Sequence, residues 1–238
     1  LSIRRQRQMC IRDSIYDQER EAGDQILNIE NLSVSNNGVF LFKNIHLNLA
    51  KGDKVIIYAK DTRAISALYA ILMGERKADS GSFDWGITTS QAFLPLDHDN
   101  FFENPMNLVD WLRQYAKTEE EREEVFLRGF LGKMLFSGEE ALKMSNVLSG
   151  GEKVRCMLSK MMMERANVLL LEEPTNHLDL ETITAFNNSL NNFKGTLLFS
   201  TSDHAFAQTI GTRIIELTPK GVIDRHTTFD EYLSLIHI

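Results

Sequence analysis

Leu148-Ser149-Gly150-Gly151-Glu152, followed one helix length later by the run from Val168 to Asp179, constrains this chain more than any other stretch. Two glycines that open a helix leave backbone amides unpaired at its positive end, a place that suits a phosphate. That supplies half of a nucleotide site. Val168 to Leu171 read as a buried parallel strand. Its ending in Glu172 and Glu173 puts two acids at the carboxyl edge of that sheet, where metal-holding and water-positioning carboxylates belong. Each piece is a weak signal alone. The pair at this spacing, closed by Pro174-Thr175-Asn176-His177-Leu178-Asp179-Leu180, is specific.

These segments together resemble an ATP-binding cassette. Residues 148–152 resemble the ABC signature, residues 168–173 a Walker B strand with its catalytic glutamate, Glu173, and Asn176 to Asp179 the D-loop. The form Glu173-Pro174-Thr175-Asn176-His177-Leu178-Asp179-Leu180 is similar to that of the ABC-F family, soluble twin-cassette ATPases that act on ribosomes. Arg128-Gly129-Phe130-Leu131-Gly132, with Met134-Leu135-Phe136 after it, resembles the segment that precedes the signature in the second cassette of that family. The similarity runs from about Ile26 to Tyr232. It implies an α/β, P-loop NTPase-like cassette with a parallel core sheet, an antiparallel β edge and a helical signature subdomain at about residues 98–165. It also implies ATP and magnesium as cofactors. Ser149, Gly150, Gly151 and Glu152 would face ATP held by an upstream cassette of the same protein, with Asp179 in the D-loop and Glu172 at the metal. The ribosome is the partner implied, and the cytoplasm the location.

Composition agrees with one globular domain: 238 residues, 43% hydrophobic and 25% charged. A net charge of −7 argues against whole-domain attraction to nucleic acid, leaving room only for a local basic patch. No apolar run approaches the length of a membrane span, and no signal peptide is recognisable. Cys10 and Cys156 stand far apart in unlike contexts and fit a reducing compartment.

Residues 1–24 show no apolar periodicity and read as a linker remnant or non-native arm, with Arg4, Arg5, Arg7 and Arg12 more easily solvated than bound to RNA. The opening and the closing residues 233–238 look like translated adapter sequence, so the cassette is assigned to residues 25–232 of a fragment cut from a longer protein. Three strands are expected around Ile26–Ile29, Ile45–Leu49 and Val55–Tyr58. Helices are expected from Ala64 to Met73, Asn107 to Ala116, Lys117 to Gly129 (with Thr118 as N-cap and a solvated acidic first turn) and Ile183 to Phe193. After the signature, Val154, Met157, Leu158, Met161 and Met162 form a stripe that suits core packing better than an adaptable partner surface. Thr196–Phe199 and Arg213–Leu217 supply late core strands.

The third strand should deliver a phosphate loop of the form G-x-x-x-x-G-K-[ST], whose glycines let backbone wrap phosphate and whose lysine neutralises it. Counting back from Gly74, the chain offers Ala59-Lys60-Asp61-Thr62-Arg63-Ala64-Ile65-Ser66. Both glycines are alanine and the lysine position holds Ile65. Charge-assisted hydrogen bonds to phosphate contribute about 1.5–3 kcal/mol each, and an alanine Cβ obstructs close backbone approach. This loop should hold ATP poorly. Ser66 survives as a magnesium ligand, and Lys60 and Arg63 offer charge from displaced positions.

Other positions depart in the same direction. Leu96 stands where the Q-loop glutamine would be, Ser202 at the switch histidine, and Asn36 at the adenine-stacking aromatic, with Phe40 near enough to replace it. Glu172 replaces the usual Walker B aspartate, and His204 reads as a surface histidine rather than a displaced sensor. In a two-cassette sandwich, everything degraded here belongs to the site this cassette would cradle, whereas the signature serves the opposite site. The reading is therefore asymmetric: a donated signature and a weak or dead site of its own. Glu173 then either hydrolyses slowly or hydrogen-bonds the D-loop. Two rivals remain: a non-catalytic pseudo-cassette serving as an interaction platform, and the nucleotide-binding subunit of a membrane transporter.

Overall fold

The computed structural model describes Tyr16 and residues 18–236, without the side chain of Ile236. Arg4, Arg5, Arg7, Arg12 and Cys10 lie outside the described residues, as do His237 and Ile238. The chain forms two compact units. One holds Gln18–Leu96, Ala166–Pro174 and the chain from Lys194 onward; the other holds Asp97–Arg165 and Thr175–Phe193 together with Tyr16.

The first unit carries nine strands: β1 Gln25–Asn36, β2 Val39–Ala50, β3 Lys54–Ala59, β4 Ser80–Trp85, β5 Gln91–Leu94, β6 Val168–Glu172, β7 Thr196–Ser200, β8 Arg213–Thr218 and β9 Gly221–Arg225. Six form a mixed sheet in the order β5-β6-β7-β3-β8-β9, parallel throughout except for the antiparallel β8–β9 pair. β6 and β7 are buried at every position, which is why both read as unbroken apolar runs rather than alternating ones. A second sheet, β2-β1-β4, is wholly antiparallel. Its hairpin turns at Asn37 and Gly38, with φ of 51° and 79°, the pair of left-handed residues that a type I′ turn requires.

The helix Arg63–Leu72 buries Ile65, Leu68, Tyr69, Ile71 and Leu72 in the same core as Val55, Ile57, Leu170 and Ile215. Each such side chain, fully buried, contributes about 1.5–3 kcal/mol. The cassette is expected to begin at Gln25, and residues just before it also pack here. Ala22 lies in this core, and the Gly23 amide donates to Thr88 Oγ1 at 2.7 Å. At the other end, the helix Phe229–Ile236 runs into the stretch set aside as a tail, with Tyr232 buried.

The second unit is helical: Leu108–Arg113, Glu124–Lys133, Gly150–Glu164 and Leu180–Asn192, with short 3-10 turns between. The stripe Val154, Met157, Leu158, Met161 and Met162 is buried, as core packing requires. Tyr16 is buried here as well, its ring edge-on to Phe186. The helix expected from Lys117 to Gly129 is broken. Thr118 Oγ1 accepts from the Glu121 amide at 3.2 Å and caps only a 3-10 turn, Glu120–Arg122; the α-helix starts at Glu124. The cause is Glu121, which is not solvated. Its buried carboxylate accepts the Lys117 amide at 2.7 Å and pairs with Arg165 at 3.3 Å, folding the acidic run back on itself.

Candidate functional site

In the sheet unit, the candidate residues collect at the carboxyl ends of parallel strands, where ligands of open α/β sheets bind. β3 ends at Ala59, β6 at Glu172 and β7 at Ser200, and the helix Arg63–Leu72 starts beyond the loop that follows β3. Ile65, at the lysine position, is only 6% exposed and belongs to the apolar core; Ala64 is buried beside it. The position expected for the loop lysine thus carries a buried apolar side chain.

Of the three polar candidates of this loop, only Ser66 reaches the acids. Its hydroxyl donates to Glu172 Oε1. Arg63 instead turns to Asp61, with Nε 2.9 Å from Oδ1 and Nη2 2.7 Å from Oδ2. That contact raises the guanidinium's pKa and lowers the carboxyl's, and it engages Arg63 locally rather than at a phosphate. Lys60 lines a separate cavity with Glu216, Lys220 and Arg225.

Glu172 is 6% exposed, and its second oxygen accepts the Leu96 amide at 3.3 Å. Leu96 therefore touches Glu172 through its backbone while its side chain, half exposed, offers no metal ligand. Burial pushes the Glu172 carboxyl above its usual range, against the opposing pull of the Ser66 and Leu96 hydrogen bonds, with Glu173 adding repulsion. A carboxyl whose pKa is raised by folding contributes its stability below the unfolded value, about 4.3, and loses it as pH rises through the folded value. Glu172→Gln should therefore raise the melting temperature of the metal-free chain near pH 8, with the gain vanishing near pH 4. Thermal melts at both pH values in EDTA check this.

Glu173 adopts a left-handed backbone, φ 48°, and its amide donates to the Ser200 carbonyl at 3.0 Å. One carboxylate oxygen accepts both the Ser202 amide, at 2.8 Å, and the Ser202 hydroxyl, at 3.0 Å. Ser202 at the switch position is thus the clamp of Glu173, a pairing the sequence does not reveal. Tyr69 was also missed as part of the site, since its helical spacing reads as core. Its phenol is buried with no hydrogen-bond partner among the described residues, and burial together with Glu172 and Glu173 holds it well above the usual phenol range.

Ser66 and Glu172 are the residues that could hold a hard cation. A hydroxyl and a carboxylate oxygen in contact match magnesium, which takes few protein oxygens and completes its shell with water and phosphate. Among the described residues no cluster of three or more His, Cys, Asp or Glu could form an all-protein metal cage.

In the helical unit, Ser149 caps the helix Gly150–Glu164. Its hydroxyl accepts the Glu152 amide at 3.3 Å, and the Glu152 carboxylate accepts the Ser149 amide at 2.9 Å. This reciprocal box fixes the helix start, and Lys143, 2.6 Å from Glu152 Oε1, holds the box from outside. A Cβ on Gly151 would stand 2.3 Å from the His177 carbonyl oxygen, and one on Gly150 would stand 3.2 Å from the His177 ring. The glycines therefore admit the turn that contains His177, itself left-handed at φ 63°. The residues expected as signature and D-loop thus pack directly against each other.

Asp179 caps the helix Leu180–Asn192 by accepting the Thr182 amide at 2.8 Å, and that hydrogen bond holds its carboxyl below the usual range. Replacing Asp179 with Ala should cost about 1 kcal/mol. A lowered pKa places this stability above the unfolded value, about 3.9, and removes it as pH falls through the folded value. The gap between the two proteins in chemical denaturation should accordingly narrow below about pH 4.

His204 opens the short helix His204–Ile210, exposed and 2.8 Å from Asp230, as a surface histidine would be. Asn36 leads into the β1–β2 turn, and Phe40, 38% exposed, lies 5.1 Å from the Lys43 ammonium. No helix among the described residues is long and apolar enough to cross a membrane.

The family model described as ABC transporter matches residues 42–176. The chain is 52% identical over 220 residues to the uncharacterized ABC transporter ATP-binding protein YkpA of Bacillus subtilis (strain 168), covering 92% of this chain and 40% of that protein. It is 29% identical over 220 residues to the energy-dependent translational throttle protein EttA of Escherichia coli (strain K12), covering 88% of this chain and 39% of that protein. The chain thus spans about two fifths of the length of these relatives. Its fold matches a solved dimeric, post-hydrolysis ATP-binding cassette bound to ADP and Pi with a TM-score of 0.68 at 19% identity, covering 84% of this chain and 98% of that one. With the family model covering more than half of its residues, the chain belongs to the ABC transporter family of ATP-binding cassettes.

Proposed function

We propose that this chain is the second cassette of a soluble twin-cassette ATPase of the ABC-F type, which couples ATP-driven closure to translation on the ribosome. Its signature completes the ATP site of an upstream cassette, while its own site is weak or dead. One contrast carries this reading. The signature start is fully assembled by Ser149, Glu152 and the two glycines, whereas the phosphate loop places Ile65 in the core and turns Arg63 to Asp61. The EttA similarity supports the translational role through that relative's own name. The dimeric state of the solved cassette with ADP and Pi supports a paired arrangement.

In the proposed mechanism, the Ser149 hydroxyl accepts one bond from within its helix and keeps its proton free to donate to phosphate. The amides opening the helix Gly150–Glu164 add a positive end. Closure is favoured because these contacts exist only when the cassettes meet. At the chain's own site, Ser66 and Glu172 would hold magnesium, which supplies charge neutralisation for phosphate when bound. Ser202 holds one oxygen of Glu173 and so fixes the orientation of that carboxylate.

The test is the twin-cassette protein. Gly150→Asp, which sets a carboxylate against the phosphate, should abolish ATP turnover, and Glu173→Gln should leave it near wild type. Unchanged turnover in Gly150→Asp would instead favour a pseudo-cassette that serves as an interaction platform. Co-purification with a membrane partner in place of ribosomes would favour a transporter subunit.

A further inference from the structure

A cavity of about 670 Å3 lies at the antiparallel edge of the six-stranded sheet, against β8, β9 and the last helix. Lys60, Lys220 and Arg225 line it, and none of the three has a carboxylate within ion-pair distance among the described residues. Some other cations of the same unit are ion-paired, Arg213 by Asp53 and Asp224, Arg63 by Asp61 and Lys51 by Glu21, whereas Lys60, Lys220 and Arg225 converge on one cavity. The convergence occurs in a chain of net charge −7, so it is not the overspill of a basic protein.

The rest of the wall is of a different kind. Ile223 is 41% exposed, an apolar side chain left facing solvent, and the Tyr232 ring stands edge-on to Tyr58 with centroids 6.3 Å apart. The one carboxylate in the lining, Glu216, is buried and accepts the Tyr232 hydroxyl, which turns that hydroxyl's proton inward. A volume of this size falls within the range of small-molecule sites, which pair apolar walls with a few convergent polar groups. Glu216 at the floor disfavours an anion deep inside, while the three cations favour one at their heads, and an arginine beside lysines suits phosphate oxygens.

We propose that this cavity binds a phosphorylated small molecule with a planar or apolar body. Lys60, Lys220 and Arg225 take the phosphate without a metal, and Ile223 and Leu235, both exposed, pack the body. Lys60 belongs to the degenerate phosphate loop, so this loop contributes its cation to a site other than the one it would form in an active cassette. The site is distinct from the Ser66–Glu172 pair and from the signature, and it stands or falls without them.

AMP in EDTA is the probe, titrated by calorimetry into the full chain beside inorganic phosphate. Expected are sub-millimolar AMP binding, at least tenfold weaker phosphate binding, and at least a tenfold loss for AMP in Lys220→Glu/Arg225→Glu. Ser66→Ala should bind AMP as the parent does. Both charge changes are on exposed residues, and thermal melts confirm that the variant is folded; Lys220→Ala/Arg225→Ala serves as a milder second variant. The proposal is overturned by equal binding of AMP and phosphate, by AMP binding that both double variants retain, or by no binding at millimolar AMP.

Discussion

Gly151→Ala should reduce ATP turnover of the twin-cassette protein by about 100-fold or more and destabilise this cassette by about 1–3 kcal/mol. The new methyl would meet the His177 carbonyl oxygen at 2.3 Å and its carbon at 3.3 Å, and both are backbone atoms. That backbone has little room to yield. His177 is already in the left-handed region, and the next residue closes its turn through the Leu178 amide to the Thr175 carbonyl at 3.2 Å. The helix start must therefore move by about 1 Å to reach ordinary contact, and a displacement of that size at a phosphate-facing amide costs about 100-fold. Gly150→Ala should be far milder. Its Cβ would meet only the ring of His177, an exposed side chain that can swing aside. Turnover in the twin-cassette protein reads the first effect, and denaturation of the isolated chain reads the second without assuming any function. Wild-type turnover in Gly151→Ala would remove the signature from the mechanism. A Gly150→Ala effect as large as that of Gly151→Ala would show that the steric account is wrong.

The cassette could be seen in the sequence because its informative residues are close together along the chain. A strand buried on both faces, two acids at its end and a capped glycine pair are each written in consecutive residues, so β6 and the helix Gly150–Glu164 follow directly. The strand β3 and the helix after it were equally legible, since both keep their apolar faces. Elements made by pairing rather than by pattern escaped. β5 has four residues and sits at the sheet edge, too short to show a period, and β9 is exposed along most of its length. Side-chain direction escaped too. Lys60, Arg63 and Ser66 are equivalent as charges and hydroxyls near a loop, yet only Ser66 turns to Glu172. Glu121 was read as solvated because its neighbours are acidic; its burial depends on Arg165, more than forty residues away.

Mg-ATP should leave the melting temperature of the native chain unchanged and raise that of a chain carrying Ala59→Gly, Ala64→Gly and Ile65→Lys. The repaired chain starts from a deficit. Removing the burial of Ile65 costs about 1.5–3 kcal/mol, and each glycine about 0.5–1 kcal/mol. Together these amount to roughly 2.5–5 kcal/mol, or a melting point lower by about 5–20 °C at about 2–4 °C per kcal/mol. Against that, ligand at 100 times its Kd restores about 2.7 kcal/mol, so saturating Mg-ATP should recover at least half of the loss. Ser66, Glu172 and Glu173 have no cation among their hydrogen-bond partners, so a phosphate-neutralising amine is what this group of residues lacks. Calorimetry on both chains separates the outcomes. Binding only after repair makes the native loop a relic whose buried Ile65 was exchanged for core stability, and leaves the signature as the working part. Micromolar binding by the native chain would mean that backbone amides suffice without glycine or lysine, and Glu173 would then regain a hydrolytic role once released from Ser202.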